Sequence, residues 1–247
     1  MHPTILRYDS LPSTNTEAAR QARHGAPEGL CVIAREQTAG RGRRDRVWVS
    51  PMDAGLYFSI LLRPKMEQKL WPLLTLMSAL AVGEALESAC SLSTDIKWPN
   101  DVYAGERKLC GILAETVEAE AGRAVIIGIG INLSDRAFPE ELKGIATSVE
   151  AETGRAAPRE RLIESLTDAL LKNYEALQRP SGDTLMLAEW TARSSYAEGK
   201  RVRVEVGEET IEGVTRGLEP DGALRVETVE GEIKLVRAGD VTALRQT

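Results

Sequence analysis

Histidine is almost missing from this chain: among 247 residues there are two, His2 and His24. Cysteine is nearly as scarce, with Cys31, Cys90 and Cys110 at no spacing that suits a metal. The shortage leaves no material for a zinc site or for a Ser-His or Cys-His pair, so no metal-ligating set is expected. Unpaired thiols fit a reducing cytosol, where they pack as small apolar groups, and the protein is expected to be cytoplasmic. Aromatics make up 4%, too few for a surface that stacks successive bases. The formal net charge is -6, so the broad basic face needed for nucleic acid or an anionic membrane is missing too. Residues 1–6 lack the basic segment and apolar core of a secretory signal. The most apolar run, residues 70–83, falls short of the roughly 18 residues of a membrane span and reads as a buried helix.

What is present is the composition of an ordinary folded protein, 43% hydrophobic and 28% charged. The length suits one large domain plus a small one. Residues 4–8, 31–34 and 56–62 read as strands, as do residues 95–98, stopped by Pro99. Thr14 and Glu17 have capping-box spacing ahead of a helix over 18–23 ended by Gly25. Pro72 sits near the start of the apolar helix, where its missing N–H is harmless. Residues 108–115 and 124–131 suit an adjacent pair of strands, and 159–177 carries helical spacing in Leu162, Ile163, Leu166, Leu170 and Leu171. Beyond Gly199, Val202, Val204 and Val206 alternate with charges, and short strands follow between turns. That texture predicts a small, partly open β-barrel of SH3-like size over 196–247, after a larger domain over 1–195.

The densest chemistry lies in Gly40-Arg41-Gly42-Arg43-Arg44-Asp45-Arg46, four arginines with two glycines on an acidic protein. Glycine lets main-chain N–H groups approach a ligand, and arginine offers a charged planar fork for carboxylate and phosphate oxygens. A solvated surface run is the bland alternative. Fixing two glycines is costly and four arginines repel, so the loop is expected to order on a ligand. Ser13-Thr14-Asn15 is either a helix cap or a polar cluster for a small ligand head. In Lys97-Trp98-Pro99-Asn100-Asp101, Pro99 exposes Asn100 and Asp101, Trp98 offers an apolar wall, and Arg107 and Lys108 add cations; an ordinary charged hairpin is the alternative. Gly128-Ile129-Gly130-Ile131-Asn132 hints at a dinucleotide fingerprint but lacks its third glycine and helix. Close packing of the backbone against a ligand or neighbouring strand suits it better.

Taken together, the chain resembles the biotin protein ligases. The resemblance is carried by Ser13-Thr14-Asn15, by Glu36-Gln37-Thr38-Ala39-Gly40-Arg41-Gly42-Arg43-Arg44 with Trp48 and Ser50-Pro51, and by Lys97-Trp98-Pro99-Asn100-Asp101. Lys108-Leu109-Cys110-Gly111-Ile112-Leu113-Ala114-Glu115 and Gly128-Ile129-Gly130-Ile131-Asn132-Leu133 complete it, all in the family's order. Asp45 departs from the small residue common there, and is expected to pair with Arg44 or Arg46 or to tune loop closure. The resemblance implies an α+β fold: a mixed, mostly antiparallel central sheet flanked by helices, of the class II synthetase and biotin–lipoate ligase kind, plus the SH3-like barrel. It implies a ligase that joins biotin to ATP as biotinyl-5′-AMP and transfers biotin to one lysine of a biotin carboxyl carrier protein or domain.

By matching position, Arg43 and Lys108 would meet the carboxylate and phosphate oxygens, and Asp101 would orient or deprotonate the incoming lysine. Ser13, Thr14, Asn15 and Gln37 would hold the ureido group. Gly40, Arg41, Gly42, Arg43, Lys108 and Gly111 would surround the rest of biotin. Arg44, Arg46, Trp48, Asn100 and Asn132 would serve the nucleotide, and Mg²⁺ would accompany the phosphates. The family also contains repressors with an N-terminal helix-turn-helix; here the first strand begins so early that no operator binding is expected. The resemblance allows a homodimer. The competing readings are a lipoate or octanoate ligase of related fold, a nucleic-acid binder using the arginines, and an inert dimeric scaffold.

Overall fold

The computed structural model describes residues 3–244; His2 and the last three positions of 196–247 lie outside them. β1 (Thr4–Leu11) leads through α1 (Thr14–Arg23) to β2 (Leu30–Gln37), which lies parallel to β1. β3 (Gly55–Leu62), β4 (Asp95–Lys97), β5 (Asp101–Ala104), β6 (Arg107–Val117) and β7 (Ala124–Asn132) complete a seven-stranded sheet in the order β1-β2-β3-β7-β6-β5-β4. All neighbours except β1 and β2 are antiparallel, as the resemblance implies. This sheet excludes a Rossmann unit, and no helix opens directly after Asn132.

Both faces of the sheet are covered, which is why β3 is buried along its whole length. Leu56, Phe58, Ile60 and Leu62 face α2 (Pro72–Cys90), behind which pack α4 (Arg159–Leu177) and α5 (Gly182–Ala192). Leu61, on the opposite phase, meets Ala18 and Ala22 of α1 together with Val32 and Ile126. Pro72 opens α2 as expected. The helix is longer than the apolar run suggested: residues 68–90 reach the length and apolarity of a membrane span, but most of that stretch is buried inside the fold.

A five-stranded antiparallel sheet follows, in the order β11-β10-β9-β8-β12. Its strands are β8 (Glu198–Val206), β9 (Glu209–Leu218), β10 (Leu224–Thr228), β11 (Ile233–Val236) and β12 (Asp240–Ala243). Val202, Val204 and Val226 belong to the same continuous core as Leu73 and Trp98. Trp98, expected as a ligand wall, is instead buried at this junction and donates its indole N–H to Gly222 O at 2.9 Å. The Trp98–Pro99 peptide is cis.

The expected capping box does not form. Helix α1 starts at Thr14, and Ser13 makes no side-chain cap. Glu17 instead accepts from Tyr8, Arg20 and Gln21, tying α1 to β1. Strand β5, α5 and the short α3 (Val149–Thr153) have no counterpart in the sequence reading.

Candidate active site

Strand phase decides what faces the open side of the sheet. In β7, Ile127, Ile129 and Ile131 enter the core, while Gly128, Gly130 and Asn132 line a cavity of about 370 Å³. In β6, Leu109 and Cys110 are both core residues although adjacent, because the β5–β6 register slips between the pairs Val102–Cys110 and Tyr103–Lys108. This bulge re-aims the strand end and puts Lys108 on the same side as Gly111. The two glycines of β7 are cut to fit side chains: a Cβ at Gly128 would collide with the Asn15 amide, and one at Gly130 with the Trp48 indole. Their close approach is thus to pocket side chains.

At one end of the cavity lie the buried groups of Ser13, Thr14 and Asn15. Gln37 Oε1 accepts from Thr14 N–H at 2.9 Å, and its Nε2 donates to Ser50 Oγ at 2.9 Å. Ser59, fully buried on β3, donates to Asn15 Oδ1 at 2.6 Å, and Asn15 Nδ2 donates to Glu115 Oε2 at 2.7 Å. Every amide here has a fixed orientation, so this end presents a preset pattern of donors and acceptors. Ser13 makes no side-chain cap to α1, so the cap reading fails.

The arginine loop closes the cavity as a hairpin, with Arg41 bridged to Val47 and Trp48 N–H donating to Gly40 O at 3.0 Å. Its turn, Arg43 to Arg46, has Arg44 and Asp45 at φ 54° and 59°. That left-handed pair is tolerated by Asp and costs Arg about 1 kcal/mol. The expected repulsion among the arginines is answered by acceptors. Arg41 donates to Glu115 at 2.8 Å and Arg43 to Asn100 Oδ1 at 2.9 Å. Arg44 and Arg46 both pair with Asp240 of β12. The acid that engages them is thus Asp240 and not, as expected, Asp45. Burial pushes the Arg43 guanidinium below its usual pKa, with Asp240 pulling it back up; an arginine stays charged regardless.

At the cationic end, Lys108 Nζ lies 2.7 Å from Asp101 Oδ1 and 5.5 Å from the centre of the Trp48 ring. That carboxylate oxygen has no hydrogen bond of good geometry, so the contact is an ion pair alone. The Trp48 indole N–H is buried without an acceptor among the described residues. An orphaned donor of this kind costs about 1–3 kcal/mol until a partner arrives.

Of the expected site residues, Ser13, Thr14, Asn15, Gln37, Arg41, Gly42, Arg43, Arg46, Trp48, Asn100, Asp101, Lys108, Gly111 and Asn132 line this one cavity. Gly40 does not; a Cβ there would strike Trp48 O and Ser50 Oγ, so it shapes the loop base. Arg44 turns to Asp240 and to Glu205 O instead of the cavity. Arg107 pairs with Glu152 at 2.7 Å, and Lys97 packs over the Tyr103 and Tyr196 rings. Missed by the sequence reading were Ser59, Asp240, Tyr57 and the wall of Phe138, Leu142, Ile145 and Ala146. The wall carries a detectable signal, apolar residues spaced through an otherwise polar loop; Ser59, inside an apolar strand, carries none beyond its polarity.

Comparison with known proteins gives the arrangement a lineage. Residues 8–132 match the model of the Biotin/lipoate A/B protein ligase family, and residues 199–242 that of the Biotin protein ligase C terminal domain. The chain is 36% identical to a biotin–[acetyl-CoA-carboxylase] ligase of Mycobacterium tuberculosis, over 94% of this chain and 86% of that protein. It is 39% identical to the bifunctional ligase/repressor BirA of Bacillus subtilis, over 96% of this chain and 73% of that protein. Among solved structures, the biotin protein ligase from Aquifex aeolicus in complex with biotin and ATP superposes with a TM-score of 0.84 at 32% identity, covering 98% of this chain and 99% of that one. A deep polar end, an arginine hairpin and a Lys–Asp pair facing one cavity are thus framed by matches to both halves of the family's structure, and the chain belongs to the biotin protein ligases.

Proposed function

We propose that the chain adenylates biotin with ATP and transfers the biotinyl group to one lysine of a biotin carboxyl carrier domain. The observation that carries this reading is that the polar cluster of Ser13, Thr14, Asn15 and Gln37, the cations Arg43 and Lys108 and the Trp48 ring line a single cavity. The polar cluster suits a ureido ring, which needs both donors and acceptors. Arg41 and Gly42 lie over the aliphatic tail, with Gly111 beneath it. In the first step a biotin carboxylate oxygen attacks the α-phosphorus and pyrophosphate leaves. Two anions must meet, so Arg43 and Lys108 neutralise them and the charge that develops. Trp48 flanks the adenylate, its orphaned N–H offered to an acceptor, and Asn132, Asn100 and Arg46 serve the same half. In the second step the lysine amine attacks the acyl carbon and AMP departs with the bonding electrons. Asp101 takes the amine proton once Lys108 has turned to the phosphate.

The cavity's carboxylates, Asp101 and Asp240, are each engaged by cations, and no group of three or more His, Cys, Asp or Glu side chains converges among the described residues. The chain therefore offers no cage of its own for Mg²⁺, and the ion would enter with the ATP phosphates as their counter-ion. Closure of the arginine hairpin keeps water from the mixed anhydride. A division into a catalytic domain over 1–195 and an SH3-like unit over 196–247 is supported by the second sheet beginning at Glu198. A cytoplasmic setting is supported by three free, buried cysteines. Against a nucleic-acid binder stands the engagement of every loop arginine by a group of the chain itself. The test is label transfer to a carrier domain with ATP and either biotin or lipoate. Biotin alone should be incorporated; equal incorporation of lipoate would move the chain to the lipoate branch.

A further inference from the structure

A run of side-chain hydrogen bonds joins one end of the arginine hairpin to the other through the polar end of the cavity. Ser50 Oγ donates to Trp48 O at 2.9 Å, and Gln37 bridges Ser50 to Thr14. Ser59 Oγ lies 2.7 Å from Thr14 Oγ1 and donates to Asn15 Oδ1. The run closes at a single atom: Glu115 Oε2 accepts both Asn15 Nδ2 at 2.7 Å and Arg41 Nη2 at 2.8 Å. Strand phase puts Glu115 there, two steps of β6 beyond Gly111. Among the described hydrogen bonds, this is where the head-group cluster meets a loop arginine directly.

We infer that Glu115 is a positioning residue that couples occupancy of the head-group end to closure of the arginine hairpin. The inference rests on the biotin-ligase reading and adds to it a residue and a route. Ser59 and Leu113 O also hold the Asn15 amide, but of its partners only the Glu115 carboxylate is, among the described hydrogen bonds, shared with Arg41. A ureido ring that fixes the Asn15 amide therefore fixes Glu115 and, through it, the start of the hairpin. Coupling is reciprocal, so a closed hairpin in turn favours the ring. The Glu115 and Arg41 side chains are 30% and 47% exposed, so the ion pair alone contributes modestly and the shared geometry carries the effect.

Trypsin reads the hairpin directly, since it cuts after arginine. The experiment compares wild type, Glu115→Gln, Arg41→Gln and the double variant for biotin affinity and for protection of the loop by biotin. In the wild type, biotin should slow cleavage at the remaining loop arginines. Each single variant should weaken biotin binding roughly threefold to tenfold and lose most of that protection. The double variant should be no worse than either single one, because all three break the same link. A merely structural Glu115 would lower the melting temperature and leave the protection ratio intact, and that result overturns the inference, as does additivity in the double variant. Should Glu115→Gln fail to fold, the protection ratio of Glu115→Asp decides, since the shorter carboxylate cannot hold Asn15 and Arg41 at once. A wild-type chain that does not bind biotin would remove the ligase reading itself, and the inference with it.

Discussion

Arg43 is the loop residue whose charge is most withdrawn from water while still facing the cavity: burial lowers its pKa, and it is held by Asn100 and reaches Gly239 O at 3.5 Å. A guanidinium so placed holds an acyl-phosphate after it forms as well as helping to form it, with contacts to charged oxygens worth about 1.5–3 kcal/mol each. Arg43→Gly should therefore still make biotinyl-AMP, because Lys108 remains, but should leak it. Streptavidin blotting of a mixture of carrier domain and bystander protein checks this; labelling confined to the carrier at an undiminished rate would make Arg43 a bystander. The β7 glycines allow the two substrate halves to be separated. Gly128→Ala would displace Asn15, and Gly130→Ala would displace the Trp48 indole. Steady-state kinetics should show the first raising the KM for biotin and the second that for ATP, each by about tenfold or more, with the other KM nearly unchanged. Both variants raising the same KM would contradict the assignment of the two ends.

The elements carrying these residues differ in how plainly their sequences announce them. Helix α4 runs Arg159–Leu177, as its apolar spacing predicts, because an amphipathic stripe packed on α2 must show that period. The alternation of β7 likewise separated core isoleucines from pocket glycines. The bulge at Leu109 was not legible, since one extra residue changes phase without changing composition. Nor was Asp240, nearly two hundred residues from the loop it holds, because long-range ion pairs leave no local pattern. The capping box at Thr14 failed because the helix starts there, with Ser13 at the N-cap: Thr14 bonds to Gln37, and Glu17 turns to Arg20 and Gln21 of its own helix and to Tyr8. Glu17, freed from that role, has its pKa lowered to about 2, first by its hydrogen bond from Arg20 and then by those from Gln21 and Tyr8, against the cost of burial. A depressed carboxylate contributes stability that is complete above its unfolded value of 4.5 and is lost as the pH falls toward about 2. Glu17→Gln should thus lower the urea midpoint at pH 7, with the gap to wild type narrowing steadily below pH 4.5; a gap independent of pH would show that Glu17 acts by shape alone.

At the scale of the molecule, the two sheets are bound through one core and through the hairpin. Trp98 bonds to Gly222 O, Arg43 reaches Gly239 O, and Arg44 and Arg46 pair with Asp240. A continuous core of this kind should unfold as one unit, so tryptophan fluorescence and far-ultraviolet circular dichroism should give coincident denaturation curves; separated midpoints would show that the C-terminal sheet is independently stable. The same contacts hold the arginine hairpin between the sheets, where it borders the cavity that Lys108 lines. The central claim is that this cavity joins a carboxylate to an α-phosphate, and release of pyrophosphate from ATP measures that step itself. The account predicts release that requires biotin and that falls about 10²- to 10³-fold in kcat in Lys108→Ala, with a smaller change in the KM for biotin. Release without biotin, or undiminished release by a folded Lys108→Ala protein, would contradict it.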